Sequence, residues 1–233
     1  MDKIIVAIGG GSLKEKTTAK IDAYIASLAK KRAGERRAVG LFIGTASHDS
    51  MPYFNTFRKT YTSDYDIKAD CVLSVYGEMN DEKIKSKFEK ADLIYIGGGD
   101  TLFMLEFWQK KELLNQVIEA YNRGVIIAGL SAGAICWFEK MYTDSQYFNG
   151  ENDFSYSIHH GLKHIKGICC PHFNEREQDF CNEFANSDLK LGWGIENDCA
   201  IEFVNGEFSK TISAGGKAYK FLKNDENIKK ILL

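Results

Sequence analysis

The chain has 233 residues and a net charge of −2, with 44% apolar and 27% charged residues. This length and composition fit one globular domain, 1–233, and exclude a disordered chain; the near-neutral charge gives no global reason to expect nucleic acid or an anionic membrane as a partner. The N-terminal apolar run Ile4–Ile8 is too short for a signal peptide and no later stretch is long enough to span a bilayer, so the expected location is the cytoplasm. Cys71, Cys136, Cys169, Cys170, Cys181 and Cys199 show no CxxC or zinc-like spacing. They read as buried thiols, and no metal site is expected. Whether the chain is a monomer or a homodimer is left open.

Apolar runs alternate with amphipathic stretches. Ile4–Ile8 predicts a strand that ends in Gly9-Gly10-Gly11, followed by a helix over about 14–32 with Ile21, Tyr24, Ile25 and Leu28 at helical spacing. A strand over Val39–Ile43, a helix over 52–61, a strand over 71–75 and a charged helix over Asp81–Lys90 come next. Leu93–Ile96 predicts a strand running into Gly97-Gly98-Gly99, with helices over 102–109 and Leu113–Asn122 beyond it. The strand 125–128 feeds directly into Gly129-Leu130-Ser131-Ala132-Gly133. This βα rhythm predicts an α/β fold with a mostly parallel sheet covered by helices on both faces. In the C-terminal third, short runs at 168–170, 200–204 and 211–213, with Asn205-Gly206 as a turn, predict a small antiparallel portion.

In an open parallel sheet, ligands bind beyond the carboxyl ends of the strands, where the three glycine-rich turns should open together. Gly129-Leu130-Ser131-Ala132-Gly133 matches G-x-S-x-G between a strand and a helix. Glycines two residues before and after the serine leave room for a sharp turn that pushes its hydroxyl out of the sheet edge, and the N–H of Ala132 then faces a developing oxyanion. Without that chemistry, Ser131 reads as a helix N-cap. Gly97-Gly98-Gly99-Asp100-Thr101 lacks the Gly-Lys-Ser/Thr ending of a P-loop. It can instead supply a second oxyanion donor, or simply a tight turn with Asp100 or Thr101 as a cap.

A serine hydroxyl needs a base. His48 lies in a loop, and His159, His160 and His164 lie in a polar stretch where their entry into a site is undecided. His172 follows the apolar run Ile168-Cys169-Cys170-Pro171 at a strand end, the best placed of the five for Ser131. Asp144, Glu196, Asp198 and Asn197 all remain open as the group that orients its imidazole.

Gly97-Gly98-Gly99-Asp100-Thr101, Gly129-Leu130-Ser131-Ala132-Gly133-Ala134, Pro171-His172-Phe173 and Arg176-Glu177-Gln178 occur in the order in which similar segments occur in the peptidase E (aspartyl dipeptidase) and cyanophycinase family of serine peptidases. The chain resembles that family over most of its length. The resemblance implies a class I glutamine-amidotransferase-like (flavodoxin-like) α/β fold, a short peptide as substrate and no metal or cofactor. It implies Ser131 as nucleophile, His172 as base, an oxyanion hole from Gly98 or Gly99 and Ala132, and Arg176 as partner of a substrate's N-terminal aspartate. Otherwise Arg176 is a helix-surface residue pairing with Glu175 or Asp179. Two departures stand out. A gap-free match puts Asn197 where the family has a glutamate, with Glu196 one residue earlier and Asp144 on another acid proposed for the role. The stretch 142–161 also differs from peptidase E. The motifs further admit an esterase, a cyanophycinase-like β-aspartyl peptidase, or a non-catalytic ligand-binding protein. A glutaminase is excluded by serine in place of cysteine at position 131.

Overall fold

Period-two burial along apolar strands sets the architecture. In β1 (Ile4–Ile8), Ile5 and Ala7 join one hydrophobic cluster while Val6 and Ile8 join another on the opposite face. The same alternation runs through β2 (Val39–Ile43), β4 (Leu93–Ile96) and β5 (Ile126–Leu130). Strands buried on both faces must be covered on both. The computed structural model, which describes residues 2–77, 79–145, 155–224 and 227–233, shows how. With β3 (Lys68–Val72), these strands form a parallel array ordered β1-β5-β4-β2-β3. On one face lie α1 (Ala19–Ala33) and α2 (Met51–Lys59), contributing Ile21, Ile25, Phe54 and Phe57. On the other lie α3 (Asp81–Lys90), α4 (Thr101–Lys110) and α5 (Leu113–Asn122), contributing Phe88, Trp108 and Val117.

The C-terminal part is larger than the sequence reading allows and is mixed in direction. After Ser131 the helix α6 is a single turn, Ala132–Ile135, and the chain enters a second sheet. That sheet comprises β6 (Phe138–Thr143), β7 (Ser157–His160), β8 (Ile165–Cys170), β9 (Leu191–Ile195), β12 (Ala218–Lys223) and β13 (Ile228–Leu232), in the order β13-β12-β9-β8-β6-β7. Its β6/β8 and β8/β9 pairs are parallel and the rest antiparallel. Helix α7 (Phe173–Asn186) covers it with Phe173, Phe180 and Phe184. β10 (Cys199–Val204) and β11 (Glu207–Ser213) return antiparallel to the edge of the first sheet, beside β1. Asn205 and Gly206 join them with φ of 54° and 85°, the left-handed pair that a two-residue hairpin favours.

Three boundaries differ from the sequence reading for local reasons. The first helix starts at Ala19, because Lys16 sits at φ 58° in a turn closed by Thr17 N–H donating to the Ser12 carbonyl. The strand expected over 71–75 is Lys68–Val72; beyond it the N–H groups of Ser74 and Val75 turn to the Asp49 carboxylate at 2.6 and 2.7 Å. The second helix runs over Met51–Lys59 and relaxes into a π-turn at Thr60–Asp64. Among the described residues, no helix is long and apolar enough to cross a membrane.

Carboxyl ends of both sheets converge. β1, β4 and β5 of the first deliver Gly9, Gly97 and Ser131, while β6, β8 and β9 of the second lead to Asp144, His172 and Asn197. The serine turn depends on two close backbone approaches. A Cβ on Gly129 would lie 1.9 Å from the Gly133 carbonyl oxygen, and one on Gly133 would lie 2.3 Å from that of Ile96. Gly129→Ala must therefore shift backbone, at a cost of about 3 kcal/mol or more. Thermal unfolding should show Tm lowered by about 6–12 °C, at roughly 2–4 °C per kcal/mol for a chain of this size.

Candidate active site

Ser131 occupies φ 51°, ψ −108°, a conformation few non-glycine residues adopt. Its own N–H donates to the Ile8 carbonyl at 2.9 Å, anchoring the turn to β1, and its carbonyl accepts from Ala134 and Ile135. Such strain is worth about 1–3 kcal/mol and survives only where the surroundings enforce it. Here the flanking glycines and the β1/β5 pairing do so, and they leave the hydroxyl at the sheet edge. As the first residue of α6, Ala132 has an N–H with no carbonyl one turn earlier in the helix. Gly98 faces the serine, since a Cβ built on it would sit 3.5 Å from Ser131 Cβ. Its N–H reaches only a long contact, 3.4 Å, to Tyr53 Oη. Burial pushes the Tyr53 phenol up to about 12, so it stays protonated. Gly99 has φ 138° and packs its α-carbon on Ala46, where a side chain would overlap the carbonyl. Asp100 caps α4, its carboxylate accepting from Leu102 and Phe103 N–H.

His172 lies at the turn between β8 and α7 in the left-handed region, φ 49° and ψ 39°. Its N–H donates to the Gly9 carbonyl at 2.8 Å, tying the second sheet to the loop after β1. Nε2 lies 2.9 Å from Ser131 Oγ and Nδ1 lies 2.7 Å from Asn197 Oδ1. The amide's other end donates from Nδ2 to Glu175 Oε1 at 2.5 Å. A flipped amide would turn its oxygen onto that carboxylate, so Glu175 fixes Oδ1 toward the ring. An amide oxygen only accepts, hence Nδ1 carries the proton and Nε2 is left to accept from the serine hydroxyl. Asn197 is held further by its own N–H, which donates to Asn174 Oδ1 at 2.9 Å.

The other candidates for orienting the imidazole point elsewhere. The Glu196 carboxylate accepts from Lys217 N–H at 2.8 Å and from Tyr219 Oη at 3.3 Å. Asp198 accepts from the Thr17 hydroxyl. Asp144 pairs with Arg176, Nη2 to Oδ2 at 2.8 Å. Arg176 is thus no surface residue. Only 7% of it is exposed, its guanidinium packs 4.9 Å from the centre of the Tyr156 ring, and neither Glu175 nor Asp179 takes it. Among the described residues, its Nε and Nη1 have no hydrogen-bond acceptor. Residues 146–154 of the stretch that differs from peptidase E lie outside the described residues.

His159 and His160 lie on β7, bonded to Ser157 Oγ and Lys140 Nζ at 2.9 and 3.1 Å, and His48 packs on Phe103. No cluster of three or more His, Cys, Asp or Glu that could hold a metal ion occurs among the described residues. Sequence reasoning missed Glu175 as the partner of Asn197. The available signal was its place in the first turn after His172, next to the arginine already singled out.

A strained serine hydroxyl within hydrogen-bond reach of an oriented, neutral imidazole is the constellation of a serine hydrolase. The chain matches the model of peptidase family S51 over residues 5–211 and belongs to that family; it is a serine-type peptidase. It is 31% identical to the uncharacterized peptidase YgaJ of Bacillus subtilis (strain 168), an alignment covering 100% of this chain and 97% of that protein. Its fold is similar to that of a peptidase from an acI-B1 Actinobacterium, with TM-score 0.69 and 14% identity over 99% of this chain and 94% of the other. It is also similar to a Listeria monocytogenes EGD-e protein provisionally named peptidase E, with TM-score 0.57 and 16% identity over 100% of both chains.

Burial lowers the His172 pKa below the usual histidine value, and the nearby positive charge of Arg176 lowers it further. The ring therefore stays neutral to a lower pH than an exposed histidine does. An NMR titration of the ring protons should place His172 below the ordinary value of about 6.5, and Arg176→Gln should move it upward.

Proposed function

We propose that this peptidase removes the N-terminal residue, with aspartate preferred, from short peptides through an acyl-enzyme on Ser131. The observation that carries the reading is Arg176, a buried guanidinium with Nε and Nη1 unpaired among the described residues and near enough to His172 to lower its pKa. Leaving charged donors buried and unmet is costly, and a substrate carboxylate can take one of them in a charged hydrogen bond. Asp144 and Tyr156 hold the guanidinium while Nε and Nη1 stay open among the described residues.

In this mechanism Ser131 Oγ attacks the scissile carbonyl as its proton passes to His172 Nε2. The oxyanion gathers on Ala132 N–H and an N–H of the Gly98-Gly99 turn, where the loose contact to Tyr53 yields to it. Collapse breaks the C–N bond, and the departing amine takes the proton from His172. Water then attacks the ester with His172 again as base, and the acid leaves with Ser131 restored. Asn197 holds the tautomer but brings no full charge to the imidazolium. Glu175, hydrogen-bonded behind it, fixes the amide and supplies that charge at one remove, which makes it a positioning residue.

On aminoacyl p-nitroanilides, the Asp substrate should be cleaved in preference to Glu, Ala and Leu. Ser131→Ala and His172→Ala should each lower turnover by about 10³-fold or more. Arg176→Ala should lower kcat/KM for the Asp substrate by about 100-fold, as expected for one buried charged hydrogen bond, and spare the Ala substrate. Equal losses on both would remove the aspartyl preference. Turnover retained in Ser131→Ala would remove the acyl-enzyme.

The role of Glu175 is testable by a double-mutant cycle. Glu175→Ala should lower kcat by about tenfold with little change in KM, since it acts only through amide orientation. With Asn197→Asp in place, the ring faces oxygen in either orientation, so Glu175→Ala should cost nothing or improve the rate by removing like-charge repulsion. An equal loss in both backgrounds would exclude the role.

A further inference from the structure

A groove begins at Leu130, the residue before the serine, and Arg176 does not line it. Its inner end, a cavity of about 170 Å³, is lined by Leu130, Gly11, Tyr53 and Lys14. Leu130 immediately precedes the nucleophile, and Tyr53 is the residue that touches the Gly98 N–H. Leu13, Lys14 and Thr56 are shared with a second cavity of about 310 Å³, which in turn shares Asn55 and Lys59 with a third of about 570 Å³. The three are contiguous along α2. From Tyr53 to Thr62 a helix rises about 13 Å, the length of roughly four residues of extended chain.

The lining is strongly basic. Lys14, Lys16, Arg37, Arg58, Lys59 and Lys68 face the groove against one carboxylate, Asp64. On a chain of net charge −2, this strip carries +5. Local pairing accounts for only part of it: Lys16 bonds Asp64 at 2.8 Å and Arg37 bonds Asp66 at 3.0 Å. Lys14, Arg58, Lys59 and Lys68 pair with no carboxylate among the described residues. Like charges held close along one groove repel each other, so an anion bound there gains from all of them.

We propose that this groove holds the leaving segment of the substrate and selects acidic peptides reaching about four residues beyond the scissile bond. The inference rests on the reading above, in which Arg176 takes the N-terminal residue and the rest of the peptide must extend away from Arg176. The C-terminal carboxylate of a dipeptide then meets Lys14. In longer substrates, Glu or Asp side chains meet Lys59, Arg58 and Lys68.

The test compares Asp-Ala with Asp-Ala-Ala-Ala-Ala, Asp-Ala-Glu-Glu-Glu and Asp-Ala-Lys-Lys-Lys. The acidic extension should raise kcat/KM by about tenfold over the alanine one, chiefly through KM, and the gain should vanish in 0.5 M NaCl. In Lys59→Glu/Lys68→Glu protein, shown folded by circular dichroism, the order of the Glu and Lys peptides should invert while the rate on Asp-Ala is kept. Equal rates on the three pentapeptides, or a preference that survives the charge reversal, would overturn the groove and leave the aspartyl reading standing. Failure to cleave any of the four would instead overturn the aspartyl reading. Binding of fluorescein-labelled Glu-Glu-Glu-Glu to Ser131→Ala protein then decides the groove alone: salt-sensitive binding lost on charge reversal supports it, and no binding excludes it. An oligodeoxythymidylate of equal charge binding as tightly would make the strip a general anion site and overturn the peptide assignment.

Discussion

Everything at this site hangs on how closely the loop after β1 approaches the histidine. A Cβ on Gly10 would stand 2.0 Å from Asn197 Oδ1 and 2.4 Å from His172 Nδ1, so the hydrogen bond between those atoms passes over bare backbone. The neighbouring backbone makes the contact structural as well as steric. The Gly9 carbonyl accepts from His172 N–H and the Gly10 carbonyl accepts from Asp198 N–H at 3.1 Å. A side chain on Gly9 would strike the Ile195 and Glu196 carbonyls. The three-glycine loop of the first sheet is thereby the seam against which the second sheet sets its imidazole and amide. The serine comes from β5, hydrogen-bonded to the same β1, so one strand fixes both halves of the Ser131–His172 pair.

Electrostatics around the imidazole follow from that packing. The ring is enclosed enough to be held neutral, and the Arg176 charge adds to the effect. In the proposed mechanism, a base that is already deprotonated near neutral pH suits a serine nucleophile, but it makes the imidazolium expensive. Asn197 and the carboxylate of Glu175 behind it answer this cost from one side, and Asp144 balances Arg176 on the other. The arrangement separates two duties that a single buried acid would combine, tautomer control by the neutral amide and charge by the carboxylate behind it.

Much of this was legible in the sequence wherever local chemistry sufficed. Apolar runs ending in glycine located β1, β4 and β5, and G-x-S-x-G placed Ser131 at a strand end because close backbone approach admits no other residue type at its flanks. His172 was legible as a rigid strand-end histidine. The third member was not, because Glu196 and Asn197 are adjacent residues whose side chains leave the chain on opposite sides just past β9. Only the corner that carries the chain from the second sheet to β10 decides which of them meets His172. Arg176 read equally well as surface or site until α7 was seen to bury it. The second sheet was largely hidden because strands such as β13, Ile-Lys-Lys-Ile-Leu, are mostly exposed and carry little apolar alternation. Basic residues of the groove are scattered from Lys14 to Lys68, and α2 with its neighbouring loops brings them into line.

The most direct test of the central claim is covalent capture by a diphenyl phosphonate analogue of aspartate, read by intact mass and peptide mapping. The account predicts one adduct, on Ser131, formed rapidly by the wild-type protein and about 10³-fold more slowly when His172 is replaced by alanine. An adduct on another residue, or labelling of Ser131 at an undiminished rate without His172, would contradict it.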